Sequence, residues 1–486
     1  MRRAYQASVP AACGNCDAVG KREGFRARFL GTVNPKIRVT SALSVVAFVL
    51  APYAAFAQSK PVAAPSVLVV GGTPAGVAAA LAAARAGDAV ELVSDKDDLG
   101  GVLTDAMMDQ WDLNLAPDGA ELEGGIFGEM YARLGDVFTP AKAARTLAEM
   151  VDDEPAIDVR YDEIPVAVAT SGDARRRSVD GVTFRDVRSG ELSTIAAPMV
   201  IDATDDGDVA ALGGARYDVG RQDTGIDERM QAVTEMFTLE GVDWPLVAAD
   251  YDAARYGAGG VLGRRAWGYS LVTRAFRPAD TNVVVRDLNL GLLPSGAVSV
   301  NAIDVCGVDG LEPQALDAAK RETELEAPRL AEYLRTRLPG FANARVGIFA
   351  PDVYVRETRH IEGEERLTTA DVWDGRIPAD SIGLASYPID LHPIDPSDEP
   401  AYAPERHVYG IPFGALVPRG FTNLLLASPA ISASHLASGS ARIIPTTIEE
   451  GEADGIAVSL ALRHRWNFTG RALDATLIAD ARHDLA

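Results

Sequence analysis

Cysteine is scarce in this sequence, which has only Cys13, Cys16 and Cys306 among its 486 residues. Three thiols cannot form a disulfide framework, and there is no run of cysteines that would ligate an iron–sulfur cluster. Cys13 and Cys16 form a C-x-x-C, but a structural zinc site needs a second pair of ligands, which the sequence does not provide. We therefore expect no metal centre.

Basic residues are also few. The chain carries 46 Lys and Arg against 69 Asp and Glu, a formal charge of −23. Residues 1–57 hold eight basic and two acidic residues, so the rest of the chain has 38 basic and 67 acidic residues, or −29. Because a body of that charge repels nucleic acid and anionic membranes, we expect neither as a partner.

The apolar segment at residues 42–57 is too short for a permanent membrane span, which needs roughly 18 residues, and it contains Pro52. It follows a basic stretch and ends in a small-x-small site before Gln58, the pattern of a secretory signal cleaved after Ala57. We expect a periplasmic or secreted mature protein, with residues 58–65 as a linker. A short membrane anchor is the alternative. The basic leader is long for a signal, so translation starting nearer Lys36 is a further alternative.

The strongest pattern in the chain lies at residues 67–101. Four apolar residues from Val67 precede a glycine pair, an alanine-rich helix is predicted at 75–86, and a second strand at 89–93. This is a βαβ unit whose helix N-terminus would bind a pyrophosphate. Thr73 replaces the second glycine of a strict G-x-G-x-x-G. Either Ser94 or Asp95, at the end of the second strand, would hold ribose hydroxyls.

Later segments predict the rest of an α/β, doubly wound domain. A strand at 199–201 precedes an acid-rich loop at 202–208, and a strand at 423–427 precedes a Ser- and Gly-rich loop at 428–442. A helix starts near Pro445 and continues to about Arg465. We predict that residues 66–220 and 413–465 form this domain, that 221–412 are an inserted α+β region covering the substrate, and that 466–486 are a tail.

Several motifs occur in a fixed order: VVGGTPAG at 69–76, LGGVLTD at 99–105, VIDATDDGDVAALGGARYDVGRQ at 200–222, VRETRHIEGE at 355–364, YPIDLHP at 387–393 and NLLLASPAISASHLASGSARIIPTTIEEGEADG at 423–455. Together they resemble the bacterial FAD-dependent oxidoreductase family, relatives of the fumarate reductase flavoproteins. Some members are described as xanthan-lyase-like or are grouped with heterodisulfide reductase flavin subunits. The resemblance implies a Rossmann-like FAD-binding domain with FAD as the cofactor.

The resemblance also implies which residues bind FAD. Residues at the glycine-rich turn would hold the pyrophosphate of FAD, and residues near 203 would line the far edge of the cofactor. Residues near 440 would face the flavin ring. With Ser94 and Asp95, the expected set is Gly71, Gly72, Ala75, Gly76, Gly100, Gly101, Ala203, Thr204, Asp208, Ser440, Arg442, Thr446 and Thr447. The chain departs from the family at Ser428-Pro429, where Gly-Arg is usual, and at residues 451–455, where Gly-Gln-Ala-Ala-Gly is usual.

A flavin oxidoreductase needs a group that moves a proton and a cation that holds an anionic substrate group. His392 and His435 are the histidines inside family motifs, and imidazole titrates near neutral pH. Arg442 keeps its charge at any working pH and would bind a substrate carboxylate or the flavin C2 oxygen. Arg359 completes the set of catalytic candidates.

The orientation of Arg359 follows from a strand that we predict at 353–361. Alternation along it puts Glu357 and Arg359 on one face, and Arg356, Thr358 and His360 on the other. One face would be a structural ion pair and the other would line the pocket.

Three functions remain open at this point. The first is a dehydrogenase or oxidase that transfers a hydride between FAD and a small polar substrate such as a sugar or hydroxy acid. The second is a flavin-dependent reductase of an activated C=C bond, and the third is a non-catalytic FAD-binding or polysaccharide-associated protein. The sequence has no second glycine-rich fingerprint for NAD, so the electron acceptor is not identified.

Overall fold

The computed structural model describes residues 64–398, 401–403 and 407–469. The predicted signal segment and C-x-x-C at 1–57, most of the linker at 58–65 and most of the tail at 466–486 lie outside these residues. Among the helices of the described ranges, none is long and apolar enough to cross a membrane.

The strands of the described residues, in chain order, are β1 (Val67–Val70), β2 (Val90–Val93), β3 (Ile157–Arg160), β4 (Glu163–Asp173), β5 (Arg176–Asp186), β6 (Leu192–Ile195), β7 (Met199–Asp202), β8 (Tyr217–Val219), β9 (Phe237–Glu240), β10 (Gly260–Leu262), β11 (Arg265–Gly268), β12 (Val283–Leu292), β13 (Val298–Val305), β14 (Arg345–Phe349), β15 (Arg359–Ile361), β16 (Ser381–Ala385), β17 (Ile389–Leu391), β18 (Ala401–Ala403), β19 (Tyr409–Pro412) and β20 (Leu424–Leu426).

The α-helices are α1 (Pro74–Arg85), α2 (Gly125–Leu134), α3 (Pro140–Asp152), α4 (Asp208–Leu212), α5 (Trp244–Asp250), α6 (Ala253–Tyr256), α7 (Ser270–Thr273), α8 (Pro313–Arg335), α9 (Thr369–Asp374), α10 (His435–Ala441) and α11 (Ile444–His464). Short 3₁₀ helices lie at Gly101–Leu103, Gln222–Thr224 and Phe413–Ala415.

A five-stranded parallel sheet forms the centre of the molecule, in the order β20-β7-β1-β2-β3. β2 and β3 extend it on one side of β1, and β7 and β20 extend it on the other. The strand order therefore reverses beside β1, and the crevice outside the carboxyl ends of the strands at such a point is where α/β sheets bind ligands.

The helix α1 is fixed at both its start and its outer face. The Thr73 side chain accepts a hydrogen bond from the Gly76 N–H at 3.1 Å, and Pro74 occupies the first turn. The helix then packs against α11 so closely that a Cβ atom on Gly451 would lie 2.1 Å from the Ala75 carbonyl oxygen, and one on Gly455 would lie 2.4 Å from that of Ala79. Glycine at these positions lets the two helix backbones touch.

The buried apolar side chains form two cores. The first combines the parallel sheet, α1, α3 and α11. The second contains residues between Val233 and Ala344, on an antiparallel sheet in the order β10-β11-β12-β13-β9-β14 that packs against α8. Most buried apolar side chains from Ile361 to Ile411 belong to the first core, although they fall in the region predicted to cover the substrate. The domain boundaries themselves remain a prediction.

Two predicted segments are wrong. The loop predicted at 428–442 contains α10, whose Ser434 side chain accepts a hydrogen bond from the Ala437 N–H and so caps its start. The strand predicted at 353–361 exists only as β15, and the preceding residues are irregular. Alternation of side chains therefore fails there, because Glu357 and His360 lie side by side, 2.8 Å apart.

Candidate active site

A cavity of about 760 Å³ opens where the strand order of the parallel sheet reverses. This volume is in the range of sites that bind cofactors and small molecules. Its walls come from the glycine-rich turn after β1, the loop after β2, residues 204–208, residues 352–356 and the start of α11. The cavity therefore touches most of the motifs that predicted a cofactor site.

The glycine-rich turn leaves no room for side chains. Gly71 has a φ of +121°, and a Cβ atom there would lie 2.2 Å from the Ala203 carbonyl oxygen. The same oxygen accepts a hydrogen bond from the Thr73 hydroxyl at 3.0 Å. Pro74 and Ala75, in the first turn of α1, line the cavity. The unpaired N–H groups of a helix start and a bare backbone turn suit a pyrophosphate, so this wall fits FAD.

The end of β2 presents Asp95, rather than Ser94, to the cavity. Asp95 lines it, whereas the Ser94 hydroxyl donates to the Asp98 carbonyl at 2.9 Å and lies against Gly72. A Cβ atom on Gly72 would approach the Ser94 oxygen to 2.3 Å. Ser94 thus shapes the turn, and the Asp95 carboxylate is the group placed to accept from ribose hydroxyls.

The predicted cofactor residues fall into two groups. Those that line the cavity are Gly71, Ala75, Asp95, Gly101, Thr204, Asp208, Arg442 and Thr447. Those that lie behind its surface are Gly72, Gly76, Ser94, Gly100, Ala203, Ser440 and Thr446. Ser440 is 2.6 Å from the Tyr409 hydroxyl, and Thr446 accepts from the Asn114 amide at 2.9 Å, so both support the wall from outside.

The acid-rich loop after β7 is held by its own first carboxylate. Asp202, fully buried, accepts from the Thr204 hydroxyl at 2.6 Å and from the Ala210 N–H at 2.8 Å. Asp205, Asp206 and Asp208 then line the cavity. Desolvation and nearby carboxylates raise the pKa of Asp205 to about 7, and burial raises that of Asp206 to about 6. Asp205 and Asp206 therefore take up protons at a higher pH than ordinary carboxyl groups do.

Arg359 forms hydrogen bonds to this acid-rich loop. Its guanidinium donates to the Asp208 carboxylate at 2.8 Å and to the Asp206 carbonyl at 2.9 Å, and it lies over the Tyr217 ring. Although Arg359 lines the cavity, its charge is already paired with Asp208. Glu357, expected on the same strand face, instead contacts His360 and His435.

His435 lies in a buried cluster away from the cavity lining. Its Nδ1 is 2.6 Å from a Glu357 carboxylate oxygen that also contacts His360 Nε2, and the other Glu357 oxygen accepts from the Gln231 N–H. Burial opposes ionisation of Glu357, but the two histidines lower its pKa to about 2. The cluster ties the irregular segment before β15 to the start of α10.

His392 is linked to the cavity through a chain of polar groups. Its Nδ1 is 2.9 Å from Asp304, and its Nε2 is 3.8 Å from a carboxylate oxygen of Asp390. Burial raises the pKa of Asp304, but His392 and Arg356 more than offset this and hold the pKa below its ordinary value. The ionised Asp304 thus orients the imidazole, and Asp390 connects it to Arg442.

The cavity wall also contains Tyr354, which the sequence did not single out, and Arg356, which the sequence placed on one of the two faces of the predicted strand. Arg442 donates to the Tyr354 hydroxyl at 3.0 Å, and the Arg356 guanidinium lies 4.8 Å above the Tyr354 ring. Arg356 also donates to the Ala232 carbonyl and the Thr234 hydroxyl. The motif VRETRHIEGE contains Arg356, but only the fold shows that it, and not Arg359, approaches Arg442.

The sequence profile of the family described as FAD dependent oxidoreductase matches residues 66–482, most of the chain. The chain belongs to the FAD-dependent oxidoreductase family. It is therefore an enzyme that uses FAD, and the predicted α/β fold with a Rossmann-like FAD-binding domain and an inserted domain is confirmed. No curated protein matches the sequence.

Solved structures of flavoenzymes are similar to this FAD-dependent oxidoreductase. The p-nitrophenol 4-monooxygenase PnpA from Pseudomonas putida DLL-E4 is 12% identical, with 87% of this chain and 84% of that chain covered and a TM-score of 0.42. A geranylgeranyl bacteriochlorophyll reductase-like protein from Thermoplasma acidophilum is 13% identical, with 87% and 83% covered and a TM-score of 0.41. The flavin-dependent brominase Bmp2 is 12% identical, with 86% and 83% covered and a TM-score of 0.38.

The described residues of the oxidoreductase contain no group of three or more His, Cys, Asp or Glu side chains arranged to hold a metal ion. The residues that fit FAD are the bare turn at Gly71, the first turn of α1, Asp95 and Thr204. The start of α11, at Ile444 and Thr447, adds the positive end of a long helix to the same cavity.

Proposed function

We propose that this FAD-dependent oxidoreductase transfers a hydride between FAD and a small polar substrate such as a sugar or a hydroxy acid. The supporting observation is that one cavity is lined both by the glycine-rich turn and by Tyr354, Arg356 and Arg442. Bound FAD would accept or donate the hydride, and the chain would bind the substrate and move its proton.

Tyr354 is the group best placed to exchange that proton. Its oxygen accepts a hydrogen bond from Arg442, so its own O–H proton is left for a ligand hydroxyl or carbonyl in the cavity. The Arg356 guanidinium lies over the ring and Arg442 donates to the phenol oxygen, so the two arginines hold Tyr354 in place at the cavity wall. His392, oriented by Asp304 and connected to Arg442 through Asp390, is the second candidate for proton transfer.

Reduction of an activated C=C bond is the second candidate function. The same cations would bind an acidic group next to the double bond, and the proposed relation to fumarate reductase flavoproteins points in this direction. That relation, and the one to heterodisulfide reductase flavin subunits, stays a prediction. We do not pursue a non-catalytic role, because the family is one of oxidoreductases.

Anaerobic spectroscopy of the purified yellow protein tests the proposal. We expect at least one member of a panel of sugars and hydroxy acids to bleach the flavin absorption. Tyr354→Phe should keep the flavin content and slow this bleaching. If dithionite-reduced protein is instead re-oxidised by enoates and no alcohol bleaches it, the second candidate is correct. A flavin that reacts with neither class would refute both.

A further inference from the structure

Two buried arginines share one wall of the cavity. The side chain of Arg356 is 1% exposed and that of Arg442 is 5% exposed, and both line the cavity. A guanidinium does not lose its proton on burial, so each carries a positive charge into a site with little water. Tyr354 lies between them, with its ring under Arg356 and its hydroxyl at Arg442.

These two cations are incompletely paired. The nearest carboxylate oxygen to Arg356 belongs to Asp304, at 3.7 Å from Nη1, and that oxygen is also 2.9 Å from His392 Nδ1. The nearest to Arg442 belongs to Asp390, at 3.9 Å from Nη2. Both distances exceed those of hydrogen bonds. By contrast, Arg221 makes two hydrogen bonds of 2.7 Å to Asp227.

Both arginines also keep a buried donor without a partner. Within the part of the chain that the structure describes, neither Nε atom has a hydrogen-bond partner. Buried N–H groups are nearly always hydrogen-bonded in folded proteins, and leaving a charged donor unpaired costs more than leaving a neutral one unpaired. Arg359, in the same lining, also has an unpartnered Nε, but it donates to the Asp208 carboxylate at 2.8 Å. Arg356 and Arg442 lack a carboxylate at hydrogen-bond distance as well as a partner for Nε, which indicates that a ligand group completes them.

We infer that Arg356 and Arg442 form a binding site for a carboxylate group of the substrate. Among the substrates of the proposed function, on which this inference rests, it selects hydroxy acids over neutral sugars. Arginine pairs with carboxylates through parallel N–H···O bonds, which neither a sugar hydroxyl nor an amide reproduces. The pyrophosphate of FAD already has its own fitting wall at Gly71 and the start of α1, so a different anion is needed here.

Binding of redox-inert probes to the FAD-loaded enzyme tests this site. Acetate and acetamide have nearly the same shape and differ in charge, and neither is oxidised in the assay. We expect acetate to change the flavin absorption spectrum saturably and acetamide to have no effect at equal concentration. Arg356→Gln should weaken acetate binding at least tenfold. Arg221→Gln, which removes a well-paired arginine away from the cavity lining, should leave acetate binding unchanged.

If Arg356→Gln loses FAD, Arg356→Lys provides the second measurement. Lysine retains the positive charge but lacks the two parallel N–H donors of the guanidinium. We expect this variant to bind acetate more weakly than the parent and still to discriminate against acetamide. Equal binding of the two probes to the parent enzyme would overturn the inference. Acetate binding only to the FAD-free protein would also overturn it, because FAD itself would then be the partner of the arginines.

The two proposals fail in different ways. If neutral sugars bleach the flavin and acetate does not bind, the carboxylate site is wrong and the hydride-transfer proposal stands. If acetate binds selectively but neither alcohols nor enoates react with the flavin, the site stands and the proposed function is wrong.

Discussion

Single glycines decide whether the cofactor turn can form. A Cβ atom on Gly76 would lie 1.9 Å from the Gly71 carbonyl oxygen, which is backbone and cannot move aside. We expect Gly76→Ala to push α1 away from β1, at about 1–3 kcal/mol, and to abolish FAD binding. The measurement is the ratio of flavin to protein after purification.

Gly128 provides the matched control, since it also lies in a helix and has open space where a Cβ atom would be. Gly128→Ala should keep the full flavin content and raise the free energy of unfolding by about 0.5–1 kcal/mol. If Gly76→Ala remains as yellow as Gly128→Ala, the turn at 71–76 is not the FAD site.

A pair of carboxyl groups inside α11 lowers stability. Glu450 and Asp454 are fully buried one helical turn apart, and none of their four oxygens has a hydrogen-bond partner among the described residues. Burial therefore raises the pKa of each well above its ordinary value. Since alanine removes a buried carboxyl group that has no hydrogen-bond partner and suits a helix, we expect Asp454→Ala to stabilise the protein by about 1–3 kcal/mol.

The gain from Asp454→Ala should depend on pH. A carboxyl whose pKa is raised by folding binds more protons in the folded than in the unfolded state, so the parent loses stability as pH rises above about 4. Urea unfolding should accordingly show a larger gain at pH 8 than at pH 4, and no such trend for Asp158→Ala at an exposed site. Equal gains at the two pH values would mean that Asp454 is ionised in the folded protein.

Two helix ends contribute to the electrostatic potential in the cavity. The start of α11 and Arg442, which follows α10, both line it. Each stabilises nearby negative charge, by about 0.3–1 kcal/mol for a helix end and up to ~2 kcal/mol when partly buried. We expect Arg442→Gln to lower the reduction potential of bound FAD by roughly 20–40 mV for a loss of about 1–2 kcal/mol.

A redox titration with a reference dye measures this shift. Arg463→Gln, in the last turn of the same helix α11, is the control and should leave the potential unchanged. If the two variants have the same potential as the parent, Arg442 does not interact with the flavin ring.

Elements with strong local signals were predicted within about two residues. β1, α1 and β2 follow a short apolar run, a glycine pair and an alanine-rich stretch, and α11 begins beside Pro445 as expected. α10 was missed because serine and glycine favour loops, whereas its stability comes from packing and from the Ser434 cap. The segment before β15 was misread because alternation assumes a strand that does not form.

The candidate site was only partly predictable from the sequence, because some of its contacts join segments that are far apart in the chain. The sequence indicated Gly71 through the glycine-rich turn, left Asp95 open beside Ser94 at the end of the second strand, and indicated Arg442 through the family resemblance. The meeting of Arg442 with Tyr354 and Arg356 joins two segments that are far apart in the chain, and no local pattern encodes it. Likewise, the sequence does not show which of Ser94 and Asp95 faces the cavity. The structure shows it, because Ser94 packs against Gly72.

We propose, from the signal-like pattern of residues 1–57, that the mature protein is exported. The only adjacent arginine pair near the start, Arg2-Arg3, lies almost forty residues before the apolar stretch, which does not suit export of a folded flavoprotein. The chain would then cross unfolded and bind FAD outside. Cell fractionation with N-terminal sequencing should find a mature end at Gln58 in the periplasm.

A processing variant makes the export test specific. Ala57→Leu removes the small residue before the predicted cleavage site, so we expect a larger precursor to accumulate. An intact N-terminus in the cytosol would contradict export, and an uncleaved membrane-bound chain would indicate the short anchor.

The contact of α1 with α11 means that the FAD-binding domain is completed late in synthesis. α11 ends at His464, 379 positions after α1 ends at Arg85. At about 5–20 residues per second, a ribosome needs roughly 20–75 s to cover that distance. Until α11 has been made, α1 lacks this partner, and β7 lacks its neighbour β20 until residues 424–426 have been made. The FAD-binding domain can therefore be completed only after almost all of the chain has been made.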